Sequence, residues 1–331
     1  MSVEEKNVYT NIVSEVCSYC GACIAVCPKN AVTLGDASES KPLCKKEECI
    51  ECSLCRKVCP QIDIPKELYN PENYKWIKAL ECKTRFKELE GKAQDGGVVS
   101  SIVAYALDNK LVDAAVLVSR DGHWHPIVKV AKNREEVFEC AGTKYVYAPV
   151  LSILKKLSVD KSVNSICIVG VPCHIRALKK MNDAKLIKYT KKVKLTISLF
   201  CTHNFTWKQF SELVVKADFD LSSICKVEIK RNKFILKARN GSEKSFPVKE
   251  ASKNIRKSCM QCPEFISMYA DLNIGSIGSR EGYSSLLVKN NKSLSIVEDA
   301  VSKGYIDAAE LEESGVNLIR KFIARKIKHK Q

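Results

Sequence analysis

Between Val98 and Asn109 apolar side chains return at helical spacing, with Val99, Ile102, Val103, Ala106 and Leu107 forming one stripe behind the Gly96–Gly97 pair. Ala114–Val118 and Ile127–Ala131 read as strands, and Val150–Leu157 as a helix. Ser165–Val169 is a continuous apolar run of the kind found in buried strands. It passes through Gly170 into a helix opened by Pro172, where the missing N–H costs nothing. Lys194–Phe200 predicts another strand and Trp207–Ala217 another helix, with further strands at 224–229, 233–239, 271–277 and 284–289. Strands alternating with helices in this way predict an α/β (α+β) domain on a mixed sheet.

Ahead of residue 76 the texture differs. The stretch PQIDIPKELYNPENYK is rich in Pro and Asn and without periodicity, so residues 63–75 read as a linker. It separates a small unit, residues 1–62, from the larger domain, residues 76–331. The small unit is an internal repeat: CSYCGACIAVCP at 17–28 returns as CIECSLCRKVCP at 49–60. Each half has the C-x2-C-x2-C-x3-C-P spacing that wraps three corners of a 4Fe-4S cubane from one loop and sends its last cysteine to the other cluster. The expected sets are Cys17, Cys20, Cys23 with Cys59, and Cys49, Cys52, Cys55 with Cys27. Gly21 and Ala22 are small enough to let backbone N–H groups approach the first cluster. Zinc sites usually take their thiolates as two separated pairs, so two tandem runs ending in Cys-Pro speak for iron and sulfide. Cys44 is surplus to both sets and reads as a loop residue.

The rest of the composition narrows the setting. No apolar stretch approaches the ~20 residues of a membrane-spanning helix, and MSVEEKNVYT lacks the apolar core of a secretory signal. A cytoplasmic protein is expected, and in that reducing setting the 17 cysteines point to metal rather than disulfides. Lys and Arg exceed Asp and Glu by 16. Three clusters of net charge about −2 would leave roughly +10, enough to favour acidic partners. No nucleic-acid motif accompanies the charge, and no G-x-G-x-x-G or Walker sequence is present.

Six motifs stand in order along the larger domain: QDGGVVSS (94–101), AGTKYVYAP (141–149), GVPCHIRAL (170–178), LFC (199–201), CMQC (259–262) and IGSIGSREGYSSLLV (274–288). Over residues 76–290 the chain resembles the beta-subunit family of coenzyme F420-reducing hydrogenase and F420H2 dehydrogenase. With the two-cluster unit in front, its nearest branch is the electron-input subunit of F420H2 dehydrogenase. The resemblance implies an FAD that takes a hydride from the reduced deazaflavin, coenzyme F420, in a flavin-binding mixed-sheet domain. It implies FAD contacts at Gly96, Gly97, Thr143, Lys144, Tyr145, Gly278, Ser279, Gly282 and Tyr283. It also implies a third 4Fe-4S cluster on Cys173, Cys201, Cys259 and Cys262. Cys82, Cys140, Cys167 and Cys225 match no ligand of the family and are expected to pack.

On their own residues these positions keep plainer alternatives: Gly96–Gly97 as a turn, Lys144 as a solvated cation, Cys259 and Cys262 as a dithiol or half a zinc site. His123 and His125 flank Trp124 at an expected hairpin tip, and His174 could approach a flavin. The tail VNLIRKFIARKIKHK places Ile319, Phe322, Ile323 and Ile327 on one helical face. Arg320, Lys321, Arg325, Lys326, Lys328 and Lys330 cover much of the remainder. Such a helix could rest on the inner face of the cell membrane, dock on an electron-acceptor protein or respiratory complex, or cap its own domain. The competing functions are a same-core FAD/iron–sulfur reductase with another substrate, as in the 7-hydroxymethyl chlorophyll reductase branch, and a non-catalytic electron-transfer subunit without flavin.

Overall fold

A computed structural model of the protein describes residues 16–35, 38–253 and 255–328. Its centre is an eight-stranded sheet. The strands are β3 (Lys78–Thr84), β4 (Ala114–Arg120), β5 (Pro126–Ala131), β6 (Ile166–Gly170), β7 (Val193–Leu199), β11 (Leu272–Gly275), β12 (Ser284–Val288) and β13 (Ile306–Glu310). They lie in the order β13-β3-β12-β11-β7-β6-β4-β5. The middle four, β11, β7, β6 and β4, are parallel, and antiparallel strands flank them on both sides. Parallel strands are covered on both faces, which is why β4 and β6 read as unbroken apolar runs. On one face the helices Val98–Asp108 and Asn291–Ser302 bury Ile102, Val103 and Val297 against Cys167, Ile197 and Leu272. On the other, Ala114, Val116, Ile166 and Ile168 meet Ile175 and Leu178 of the Pro172–Asp183 helix.

A second, three-stranded antiparallel sheet of β8 (Ile224–Lys230), β9 (Lys233–Ala238) and β10 (Glu243–Pro247) packs with the Trp207–Lys216 helix around Phe205, Phe210 and Phe234. Nothing in the hydrophobic pattern announced β3, β10 or β13. β13 reads IDAAE, with one buried residue, and too little alternation to register. The expected hairpin tip is the β4–β5 turn, where His125 bonds to Asp121 at 3.0 Å and stacks on Trp207.

The cysteine-rich unit holds the helices Ala22–Val26 and Leu54–Val58 and a hairpin of β1 (Val32–Leu34) and β2 (Pro42–Cys44). Cys44 closes β2 opposite Val32, so it belongs to a strand and not a loop. The unit is seated on the large domain, with Ala22, Ala25, Val26 and Val58 in the same apolar cluster as Leu151, Leu154 and Ile175. Residues 63–75 run as two 3-10 turns whose Leu68 and Tyr74 are buried beside Ile319 and Ile323 of the C-terminal helix, Glu313–Lys328.

Gly21 sits at the tightest point of this seat. Its φ is +84°, and a Cβ there would stand 2.5 Å from Ser152 N and 2.6 Å from Pro149 O. The left-handed conformation alone costs an L-residue about 1–2 kcal/mol, before the backbone clash. Gly21→Ala is expected to lower stability by at least about 2 kcal/mol, measured by chemical unfolding under argon. A change within about ±0.5 kcal/mol, typical of open surface positions, would mean that the seat is loose.

Candidate functional site

The two cysteine loops repeat in backbone as they do in sequence. Tyr19 and Glu51, each just before the second cysteine, have φ of 51° and 53°; Gly21 and Ser53, just after it, have φ of 84° and 60°. Left-handed residues on both sides of a cysteine can turn backbone N–H groups inward, as in the concavities that receive anions. Tyr19 N–H already points at Cys17 Sγ, 3.3 Å away.

The thiols fall into three groups. Burial pushes Cys20 up to about 12, and the neighbouring sulfurs of Cys59 and Cys17 push in the same direction. Burial raises Cys23 too, followed by Cys20, Cys17, Cys59 and then Cys55. Cys59 therefore stands with the first loop. Cys27 stands with the second, lining one small hollow with Cys49, Cys52 and Cys55. The third group lies in the large domain. Cys173 follows β6, Cys201 follows β7, and Cys259 and Cys262 flank the end of a short helix, Lys257–Met260. Burial raises Cys173 far above the ordinary thiol, with Cys262, Cys201, Cys20 and Cys259 adding to it. Thus four cysteines from three segments meet, and Cys20 of the first loop is their neighbour.

Buried thiols that raise one another are costly neighbours unless something takes their protons, and metal ligation does so. Among the described residues, no three His, Cys, Asp or Glu side chains converge tightly enough for a single metal ion. Four thiolates on one zinc stand within about 4 Å of each other, whereas a cubane holds its ligands farther apart. The sets suit the larger group.

Charge surrounds the third set. Lys326 on the C-terminal helix donates to the carbonyls of Thr202 and Cys259, the latter at 3.4 Å. Arg176 and Glu264, both 0% exposed, stand 2.9 Å apart as an ion pair. The pair is held by charge and not by hydrogen-bond alignment, for no nitrogen of Arg176 has an aligned acceptor. Burial opposes the guanidinium's charge, yet Glu264, Cys262 and Cys173 together keep it firmly protonated. Tyr147 bonds to Cys259 Sγ at 2.9 Å. Arg256 bolts the third set to the first: it donates to Cys17 O at 3.0 Å, to Ser40 O at 2.8 Å and to Glu39 O. Sequence reading missed Arg176, Glu264, Arg256 and the placement of Lys326, since their partners lie far away along the chain.

The expected flavin contacts fall in three segments: Gly96–Gly97 ahead of the Val98–Asp108 helix, Thr143–Tyr145, and the loop between β11 and β12. Gly97 (φ +68°) opens the Val98–Asp108 helix. Gly96 is held against β3 and β12, where a Cβ would meet Cys82 O at 2.6 Å and Ser284 N at 2.7 Å. Asp95, raised by burial against the pull of Lys230, links this stretch to Ser276 of the next loop and to Tyr145. Within that loop Ser279 Oγ donates to Ser276 O or Tyr283 O, Gly282 takes φ +81°, and Arg280 covers the Tyr283 ring at 4.0 Å. Gly278 faces the C-terminal helix instead, 2.9 Å from Gly315 O as measured from its would-be Cβ. Lys144 is buried, not solvated. Its ammonium ties down the carbonyls of Cys140, Ala141 and Gly142, and burial lowers it to about 8. Thr143, beside it, is half-buried. Gln94 Oε1, Ser198 Oγ and Ser285 Oγ are buried without hydrogen-bond partners.

His174 has both ring nitrogens in use: Nδ1 accepts from Val171 N–H and Nε2 donates to Ala148 O, each at 3.1 Å. It braces the turn after β6. Cys82 and Cys167 are fully buried in the sheet core and Cys140 is half-buried, whereas Cys225 is exposed, contrary to the expected packing role.

Fold and cysteine geometry together define an iron–sulfur electron-transfer unit built onto a mixed α/β domain. Residues 16–62 match the 4Fe-4S dicluster domain. Residues 79–155 and 163–314 match the N-terminal and C-terminal parts of the coenzyme F420 hydrogenase/dehydrogenase beta subunit. The chain belongs to that family. It is 29% identical over 333 residues to one of the subunits of the F(420)H(2) dehydrogenase of Methanosarcina mazei, covering 96% of this chain and 91% of that protein. It is 30% identical over 263 residues to the beta subunit of the coenzyme F420 hydrogenase of Methanosarcina barkeri, covering 78% and 90%. A chain in the solved F420-reducing [NiFe] hydrogenase complex of Methanosarcina barkeri superposes with a TM-score of 0.75 at 29% identity, covering 79% of this chain and 92% of that one.

Proposed function

We propose that this protein oxidises reduced coenzyme F420 and delivers the electrons singly, through iron–sulfur sites, to a partner subunit. The observation that carries this reading is the line of cysteine sets. Cys173 of the third set neighbours Cys20 of the first, and Cys23 of the first neighbours Cys55 of the second. The line starts at the C-terminal sheet edge and ends at Cys52, which is exposed. An electron path needs such an order: a protected entry, closely spaced carriers and a surface exit.

The unpartnered Gln94 Oε1, Ser198 Oγ and Ser285 Oγ suit a polar cofactor, and with Gly97 and the 276–283 loop they would hold an FAD. A flavin supplies the conversion between two-electron hydride chemistry and the single-electron carriage of 4Fe-4S clusters. The chain's own part is to position and to shield. Tyr145 and Asp95 anchor their segments to the three-stranded sheet through Phe234 and Lys230, and Arg256 fixes the spacing between the third and first cysteine sets.

Coenzyme F420 carries a phosphate and an oligoglutamate tail, so it is a polyanion. The surplus of 16 Lys and Arg should draw it in over long range. Salt screens such attraction within about 10 Å at 0.1 M. The KM for reduced coenzyme F420 is therefore expected to rise several-fold between ~0.02 and ~0.3 M ionic strength, with kcat nearly constant. Steady-state oxidation with an artificial one-electron acceptor measures this, and a salt-independent KM would remove the electrostatic part of the proposal.

No helix among the described residues is long and apolar enough to cross a membrane. Ile319, Ile323 and Ile327 of the C-terminal helix are buried on their own domain against residues such as Phe265 and Tyr74, so that face is already covered. The helix presents Arg320, Lys321, Arg325 and Lys328 outward; Lys330 lies outside the described residues. We place the protein in the cytoplasm, in contact with an electron-accepting subunit.

A further inference from the structure

The basic C-terminal helix has a feature that neither its apolar face nor its exposed charge explains. Most of its cations point to solvent, but Lys326 turns inward. Its ammonium lies between the backbone that follows Cys201, at Thr202 O, and the carbonyl of Cys259. It is the leading favourable charge on the Cys259 thiolate and also favours that of Cys201, in each case against burial. Next to Cys173 and Cys262 of the same set lies the guanidinium of Arg176, buried and paired with Glu264 at 2.9 Å. Arg176 is thus offset by its carboxylate partner, whereas Lys326 donates to backbone carbonyls.

We infer that Lys326 is a tuning residue: its fixed positive charge raises the reduction potential of the cluster held by Cys173, Cys201, Cys259 and Cys262. The inference rests on the proposed third cluster. The physical ground is simple. Reduction adds one negative charge to a group enclosed by protein, and a cation nearby stabilises the reduced form more than the oxidised one. A lysine held by two backbone carbonyls keeps that charge in place, whereas a solvated one would wander and be screened. Because the charge arrives on the last helix, packing of the C-terminus and potential of the entry cluster are linked.

The test uses the full-length holoprotein, prepared anaerobically, as wild type, Lys326→Gln, Lys326→Arg and Lys321→Gln. Iron is counted first, and the clusters are then titrated potentiometrically with paramagnetic-resonance detection. Lys326→Gln is expected to keep wild-type iron and to shift the reduction equilibrium of one cluster on the order of tenfold towards the oxidised form. Tenfold in a one-electron couple corresponds to about 59 mV. Lys326→Arg should restore most of the shift, and Lys321→Gln, exposed on the same helix, should cause none. Three unchanged potentials, an equal shift of all three, or the same shift in Lys321→Gln would overturn the role of Lys326. Iron loss shared by Lys326→Gln and Lys326→Arg would also overturn it, reducing the contact to a structural one. A wild-type protein with only about eight irons would instead remove the third cluster, and this inference with it.

Discussion

Cys259→Ala is expected to cost the protein about four of roughly twelve irons and to slow electron passage into the dicluster unit by more than about a hundredfold. Cys259 is half-buried, bonded to Tyr147 and backed by Lys326, and with Cys262 of its own segment it meets Cys173 and Cys201 from two others. Removing one of four ligands at a cubane leaves an iron corner without its thiolate, and Tyr147, the side chain bonded to Cys259, is kept protonated by burial and so is a poor substitute. The dicluster unit has eight cysteines of its own and should keep its iron. Flavin reduction by the donor should survive, because it precedes the missing carrier. Iron and sulfide analysis with rapid-mixing spectra separates these steps. Wild-type iron near eight, unchanged by Cys259→Ala, would remove the third cluster.

Cys27→Ser is expected to damage the cluster of the second loop and to spare that of the first. Sequence proximity suggests the opposite, since Cys27 lies four residues beyond Cys23. In the structure, Cys59 crosses to Cys20 and Cys23, and Cys27 lines the hollow with Cys49, Cys52 and Cys55. The short helices Ala22–Val26 and Leu54–Val58 each carry the fourth cysteine away from its own loop. Serine is a weaker ligand, so the affected cluster should show loss of iron or an altered resonance. Loss confined to the first loop's cluster would contradict the crossed arrangement.

What could be read from the sequence follows from how local each signal is. The dicluster cysteines sit within 43 positions and carry their own spacing, so they could be read directly. β6 and the first half of β4 were readable because a strand buried on both faces is apolar along its length. The third cysteine set draws on three segments separated by sheet strands and could be reached only through resemblance. Arg256 with Cys17, Arg176 with Glu264, and Lys326 with Cys259 are pairs that no periodicity reports. Lys144 shows the reverse case. Its motif suggested a cofactor contact, while the folded chain uses the ammonium to close three carbonyls. The tail's period placed its buried face correctly at Ile319, Ile323 and Ile327, but a period cannot say what covers that face.

Everything upstream of the clusters turns on which donor the protein accepts. That choice is measured by anaerobic stopped-flow mixing of FAD-loaded, iron-replete protein with reduced coenzyme F420 and, separately, with NADH, following flavin and cluster absorbance. NADH is the less negative donor, and the chain has no G-x-G-x-x-G loop for it. Reduced coenzyme F420 is expected to bleach the flavin first and the clusters afterwards, while NADH leaves both nearly unchanged. Rapid bleaching by NADH, with the deazaflavin inert, would overturn the substrate assignment.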